Sequence, residues 1–350
     1  MKKILIATWC NNNGKTNYGQ VLQAFALQKY LSNKGYEVKI INYTNTIQVE
    51  KKSSRVRKFK KFVRDNIKFT KLYKNINELN DELPDTDILL AGSDQIWNPA
   101  NLNEIYFLNF GSASIRKISY ASSGIFYEGP ENSEAINKIV EMLRDFHAVS
   151  VRERISASIL GSHLDNKPEV VCDPVFLLNG NEWLNVSKPV KTGGKYILCY
   201  IFGSIRNKQA ILDQYRKVFS VEKILVITSN LYEEKISWDK IKYIDNAGVS
   251  EFIYLIKNAE AVVTDSFHGT SLSIIFKKQF INIYRYNENS NPYATGERIK
   301  SLMESVGMEF RKVGNVVELE KIGRIDYGSV YESLNDFKER SEEYLLNAIS

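Results

Sequence analysis

The chain has only three histidines, three cysteines, four methionines and seven prolines among its 350 residues. Each scarcity excludes something. Cys10, Cys172 and Cys199 lie far apart, inside or beside strand-like segments, so neither a zinc cluster nor a disulfide framework is expected. That usage fits a reducing, cytoplasmic compartment. No apolar run approaches the roughly 18 residues that a bilayer span needs, so no crossing is expected. Met1-Lys2-Lys3 is charged like the start of a signal peptide, but the apolar run Ile4 to Trp9 ends at once in Asn11-Asn12-Asn13-Gly14 and reads as a buried strand. Few prolines beside 43% hydrophobic and 25% charged residues exclude large-scale disorder and fibrous classes. No fixed short repeat is visible, and Gly14-Lys15-Thr16 lacks the upstream glycine of a phosphate-binding loop.

What is present is alternation. Short β-rich apolar runs alternate with amphipathic stretches almost from end to end, which is the pattern of βα units and parallel sheets. Strands are expected at Lys3 to Trp9, Val38 to Tyr43, Asp87 to Ala91, Ile118 to Ala121, Ala148 to Val151 and Val170 to Cys172. Helices are expected at Tyr18 to Leu31, Glu131 to Phe146 and Arg154 to Leu160. The polar stretch Ser187 to Gly194 suits a linker. Beyond it, strands are expected at Tyr196 to Phe202, Lys223 to Thr228, Ala261 to Thr264 and Phe280 to Tyr284. The expected architecture is therefore α/β: two Rossmann-like domains facing a cleft, at 1–186 and 195–330, with a last helix at 331–350.

Charge is concentrated. Lys51 to Lys74 holds eleven Lys and Arg against the single acid Asp65, leaving 36 basic and 40 acidic residues elsewhere. Such a segment reads either as a solvated helix face or as a footprint for an anionic partner such as a lipid surface or a pyrophosphate-linked substrate. Nucleic acid is not expected, because no DNA- or RNA-binding signature accompanies the charge.

Ligands of open α/β sheets sit beyond the carboxyl ends of the strands, so the strand exits are read first. In Ala261 to Thr270 a buried strand runs into Asp265-Ser266-Phe267-His268-Gly269-Thr270, placing hydroxyls, a histidine and a glycine at a helix N-terminus. That is anion-binding chemistry, with Gly269 allowing close approach and His268 the best placed proton donor. The same residues also read as a plain helix cap. His147 and His163 read as structural or exposed. In Gly92-Ser93-Asp94-Gln95-Ile96-Trp97, Asp94 is placed to accept a proton from a sugar hydroxyl, with Trp97 offering a face to the ring; an Asx turn is the alternative. Arg152, at the end of Ala148 to Val151, is suited to a phosphate or carboxylate, or to pairing with Glu153. Asn17-Tyr18-Gly19, ending the exit of the first strand, reads as an acceptor or anion loop or as a simple connection. Arg298, opening a helix after Asn291-Pro292, is a further candidate.

Taken together, these segments resemble the polysaccharide pyruvyltransferase family. The resemblance rests on Asn17-Tyr18-Gly19 with Leu22-Gln23-Ala24 and Ala26-Leu27, on Gly92 to Trp97, on Ser150-Val151-Arg152-Glu153 and on Asp173-Pro174-Val175. It continues through Thr264 to Gly269 and Arg298-Ile299 with Leu302, in the family's order, over about residues 4 to 307. It implies a GT-B-like fold and transfer of a pyruvyl group from phosphoenolpyruvate, as co-substrate and with no cofactor or metal, to two hydroxyls of a sugar. The acceptor would be a surface glycan or a lipid-linked oligosaccharide, handled in the cytoplasm or at the inner face of the plasma membrane. His268 and Asp94 would be catalytic, and Arg152, Ser266, Gly269, Thr270, Arg298, Asn17, Tyr18, Gly19 and Trp97 would bind substrate. Some members carry arginine where this chain has Ser266, so either Arg298, Arg285 or Arg154 replaces that charge or the donor is held less tightly. A nucleotide-sugar glycosyltransferase and a noncatalytic glycan-binding protein are the competing readings.

Overall fold

The computed structural model of the protein describes residues 1–10, 16–43, 53–127, 129–228, 235–285 and 296–350. In chain order it gives β1 (Lys3–Ala7), α1 (Tyr18–Asn33), β2 (Glu37–Tyr43), α2 (Ser54–Asn66), β3 (Phe69–Tyr73), α3 (Ile76–Asp81), β4 (Ile88–Ala91), β5 (Arg116–Ser119), α4 (Pro130–Leu143), β6 (Ser150–Val151), α5 (Arg154–Gly161) and β7 (Glu169–Val170). There follow α6 (Gly180–Leu184), β8 (Tyr196–Ile201), α7 (Gln209–Val218), β9 (Lys223–Thr228), β10 (Ile241–Tyr243), α8 (Val249–Asn258), β11 (Ala261–Thr264), α9 (Phe267–Ile275), β12 (Gln279–Ile283), α10 (Gly296–Ser305), β13 (Lys312–Val313), α11 (Val316–Lys321) and α12 (Tyr327–Ile349). The polar runs 11–15 and 286–295, with Gly14-Lys15 and Asn291-Pro292, lie outside the described residues, as do Lys51 and Lys52.

The chain forms two compact units. The first comprises Met1–Lys51, Val63–Leu178 and Leu334–Ser350; the second comprises Lys52–Phe62 and Asn179–Ser333. In the first, a parallel sheet runs in the order β3-β2-β1-β4-β5, and β6 and β7 form a small parallel pair beyond it. In the second, a parallel sheet runs β10-β9-β8-β11-β12-β13. Both orders reverse once, next to the first strand of the unit, so β1/β4 and β8/β11 are the switch points where an open α/β sheet offers a crevice. The central strands read as unbroken apolar runs, ILLA in β4 and AVVT in β11, because helices cover both of their faces. Each Leu, Ile or Val buried there contributes about 1.5–3 kcal/mol.

The division differs from the expected partition at 186, 195 and 331. Ser187 to Gly194 does not separate the units: α6 already belongs to the second, where Gly180 lies against Phe276 and the Lys188 N–H bonds Ser250 O at 3.0 Å. Basic residues 53–62, placed by the sequence in the first domain, also belong to the second unit. The reason is Arg55, wholly buried, whose guanidinium donates to Thr228 O at 2.7 Å, Asp245 O at 3.0 Å and Ile244 O at 3.1 Å. Val56, Phe59 and Phe62 are buried on the same side of α2. Helix α12 starts at Tyr327, and its first turns belong to the second unit, where Tyr331 donates to Ile275 O at 2.8 Å. Its later turns belong to the first unit, where Ser341 Oγ accepts from the Cys172 N–H at 2.9 Å and Tyr344 donates to Ser119 O at 3.1 Å.

Candidate functional site

In the second unit the site grows from the switch point. Strand β11 ends at Thr264, whose hydroxyl donates to Tyr200 O at 2.6 Å and ties β11 to β8. Asp265 follows, buried, and its carboxylate accepts the N–H groups of Phe202 and Gly203 at 2.8 Å each, spanning the two strand exits. Ser266 has extended backbone and caps α9, its Oγ accepting the Gly269 N–H at 3.3 Å. His268 therefore stands in the first turn of α9, 7% exposed, with its ring edge-on to Phe267 at 5.2 Å. Arg285, two residues past β12, donates from Nη2 to Asp265 O at 3.0 Å, and its guanidinium lies over the Phe202 ring at 4.5 Å. Burial pushes the Asp265 carboxyl above the ordinary range, against the pull of Arg285 and the two N–H groups.

Gly269 and Thr270 turn out to serve the frame. A Cβ at Gly269 would lie 2.5 Å from Thr264 Oγ1 and 3.0 Å from Tyr200 Cδ1, so the missing side chain lets α9 press onto the sheet rather than admitting a ligand. Thr270 is fully buried, donating to Ser266 O at 2.9 Å and accepting from Asn282 Nδ2 at 2.8 Å. Arg298 is half-buried on α10.

The first unit has its own constellation. Gly92 fits against Thr8, whose hydroxyl donates to Ser93 O at 2.7 Å and joins the exits of β1 and β4. Asp94 adopts φ 77°, the left-handed region where non-glycine residues are strained. Its Oδ1 accepts the Gln95 N–H at 2.9 Å and lies 3.7 Å from Arg152 Nη2. Arg152 is 1% exposed at its side chain, with Nε 2.9 Å from Glu153 and Nη1 2.7 Å from Asp173. Ser93 and Ser123 donate to Asp173 and Glu153 at 2.9 and 2.6 Å. Burial works against the Arg152 charge, but Glu153, Asp173 and Asp94 outweigh it and hold the guanidinium protonated. The structure thus brings Arg152 and Asp94 together, with Glu153, the pairing that the sequence offered as the alternative, and with Asp173 as a partner that no single motif announced.

Two further expectations need correction. Trp97 is fully buried, its Nε1 bound to Tyr106 O at 2.9 Å and its ring stacked on Phe107 at 5.8 Å, so it is core and offers no face to a sugar. Tyr18 is likewise buried in α1 with Gly19, and Asn17 is the cap of that helix, accepting the Gln20 N–H at 3.4 Å. His147 and His163 are exposed, and the three cysteines are buried and joined in no disulfide. Among the described residues no group of three His, Cys, Asp or Glu is placed to hold a metal ion, and no helix is long and apolar enough to cross a membrane.

The ordered motifs find their match in the family model for polysaccharide pyruvyl transferase, which fits residues 17–287. The chain belongs to that family. As a polysaccharide pyruvyl transferase family member it carries a transferase scaffold, and solved structures show the same fold at low identity. The UDP-GlcNAc 2-epimerase of Methanocaldococcus jannaschii, solved with UDP-GlcNAc and UDP, is 17% identical with a TM-score of 0.52, over 96% of this chain and 93% of its own. MnaA of S. aureus, solved with UDP, is 12% identical with a TM-score of 0.56, over 98% and 90%. The UDP-N-acetylglucosamine 2-epimerase of Rickettsia bellii is 11% identical with a TM-score of 0.55, over 100% and 97%. No curated protein sequence matches. The two Rossmann-like units are accordingly GT-B-like.

Proposed function

We propose that the protein transfers a pyruvyl group from phosphoenolpyruvate to two hydroxyls of a sugar, forming a ketal during synthesis of a cell-surface polysaccharide. The observation that carries this reading is the position of His268 in a pyruvyl transferase chain: in the first turn of α9, capped by Ser266, beyond the switch point of the second sheet. A helix N-terminus favours an anion, and imidazolium is a proton donor suited to neutral pH.

Protonated His268 gives its proton to C3 of phosphoenolpyruvate, turning the methylene into a methyl and leaving oxocarbenium character at C2. One sugar hydroxyl attacks C2 and releases its proton. The second hydroxyl then bonds C2 as the C2–O bond to phosphate breaks, and its proton leaves with the phosphate. The first hydroxyl's proton restores His268, so two hydroxyl protons end on C3 and on phosphate. Asp94, held beside Arg152, is the group that orients an acceptor hydroxyl or takes up the first hydroxyl's proton, which solvent then returns to His268. The acceptor is a glycan or lipid-linked oligosaccharide, met in the cytoplasm or at the inner face of the membrane.

The test is a thermal-shift panel of phosphoenolpyruvate, UDP, GDP and CMP on the whole protein. A ligand at a hundred times its dissociation constant adds about 2.7 kcal/mol of stability. Stabilisation by phosphoenolpyruvate alone supports the reading. Stabilisation by a nucleotide instead replaces it with nucleotide-sugar transfer.

A further inference from the structure

Two arginines of the second unit are buried with no acid bonded to either among the described residues, and they differ in what they spend. Arg55 gives all three of its guanidinium nitrogens to main-chain oxygens. Arg311, 8% exposed just ahead of β13, gives two: Nε donates to Phe280 O at 2.9 Å and Nη2 to Gly323 O at 2.8 Å. Its Nη1 makes no hydrogen bond among the described residues and keeps contact with solvent. Glu309, two residues before it, is exposed and forms no ion pair with it.

Phe280 is the second residue of β12, so this guanidinium lies at the amino edge of the sheet, the end opposite His268. Tyr215 stands in the last turn of α7, at the same edge, just before the chain enters β9. It is 4% exposed, and its hydroxyl is buried with no hydrogen-bond partner. Its ring meets Phe219 edge-on at 5.0 Å, and the exposed Arg324 lays its guanidinium over the same Phe219 ring at 5.7 Å. Burial raises the Tyr215 pKa, and Arg311 and Arg324 pull against it, so both guanidiniums act on one phenol. Burial lowers the Arg311 pKa, against the pull of Tyr215, Tyr327 and Glu309. A buried cation without a counter-charge and a buried hydroxyl without a partner are each costly, and one anion that reaches both relieves both.

We infer that Arg311, Arg324 and Tyr215 form a site for a phosphate group at the amino edge of the second sheet, separate from the strand exits that hold His268. Arg311 Nη1 and the Arg324 guanidinium pair with the phosphate oxygens, and the Tyr215 hydroxyl donates to one of them. The site needs no pyruvyl chemistry.

NMR of the whole protein with tyrosine labelled at Cζ reads the site directly. The Tyr215 resonance, assigned by its loss in Tyr215→Phe, is expected to shift saturably with inorganic phosphate, not with chloride at equal ionic strength, and to respond equally in His268→Ala. Arg324→Gln, a change at an exposed position, is expected to raise the half-saturating phosphate concentration at least threefold, and Arg311→Gln at least tenfold. If Arg311→Gln does not fold, judged by circular dichroism, Arg324→Gln carries the test alone. A Tyr215 resonance that ignores phosphate, follows chloride equally or loses its response in His268→Ala overturns the site, and so does an unchanged midpoint in Arg324→Gln. A parallel titration with glycerol phosphate separates the sources: a midpoint below that of inorganic phosphate assigns the site to a phosphate carried on an organic molecule, and a midpoint above it to the free ion.

Discussion

The Asp94 carboxylate lies 3.7 Å from Nη2 of Arg152, on a backbone turned to φ 77° that glycine would adopt without strain. A strained residue is kept where its side chain is needed, which separates stability from function at this position. Asp94→Gly is expected to leave stability within about 1 kcal/mol, because relief of the left-handed backbone offsets the lost bond to Gln95. Turnover should fall on the order of 10²–10⁴ if Asp94 handles the acceptor proton. Melting curves beside a ketal-forming assay check this; a parallel fall of both would make Asp94 a structural residue.

Arg152 behaves in the opposite way. Removing it leaves Glu153, Asp173 and Asp94 facing one another in a buried setting, so Arg152→Met is expected to cost about 3–5 kcal/mol. Adding Asp173→Asn should recover part of that loss, since one uncompensated charge then disappears. Chemical denaturation of the two single variants and the double variant measures the coupling directly. Additive effects would mean that the 2.7 Å contact carries no net interaction.

His268→Ala should lower turnover on the order of 10²–10⁴ while phosphoenolpyruvate still binds, because the histidine is assigned to proton delivery and not to charge pairing. Isothermal titration and steady-state rates on one preparation separate the two. Near-normal turnover would remove the general-acid role.

Helix α2 presents Arg57, Lys60, Lys61 and Arg64 outward while Arg55, Val56, Phe59 and Phe62 are buried. With its apolar face already covered, any attachment to anionic lipid through this helix is electrostatic and weakens as added salt shortens the Debye length. Replacing the four outward cations by Gln is expected to abolish co-sedimentation with phosphatidylserine-containing vesicles and leave turnover on a soluble acceptor unchanged. Retained sedimentation in the variant would assign the helix face to solvent alone.

Most strands were legible as apolar runs because parallel strands are buried on both faces and need no alternation to be seen. The first, fourth, eighth, ninth and eleventh strands lie within a residue or two of where the runs put them. Strand β3 was not legible: it is an edge strand inside the basic segment, with Lys71 and Leu72 exposed, so charge hid its pattern. The roles of Trp97 and Gly269 were misread for a common reason. Sequence reports that a side chain is large, or missing, but not whether ligand or protein fills the space beside it. The Asp265–Arg285 contact was within reach, since two parallel neighbours with known ends place their exits side by side. What periodicity could not give is the partner of an amphipathic face. The segment 51–74 read as a charged face or footprint, and nothing in it said that Arg55 would be buried on main-chain carbonyls 173 and 190 residues later.

That last point has a consequence for how the molecule is made. The second unit includes residues 53–62, synthesised long before β9 and the loop after β10 that receive Arg55, and the first unit includes residues 334–350, which follow the whole of the second. Neither unit can finish folding on the ribosome in the order its sequence emerges. The nascent chain must therefore carry the Arg55 guanidinium without its three main-chain acceptors until residues 228–245 have been made.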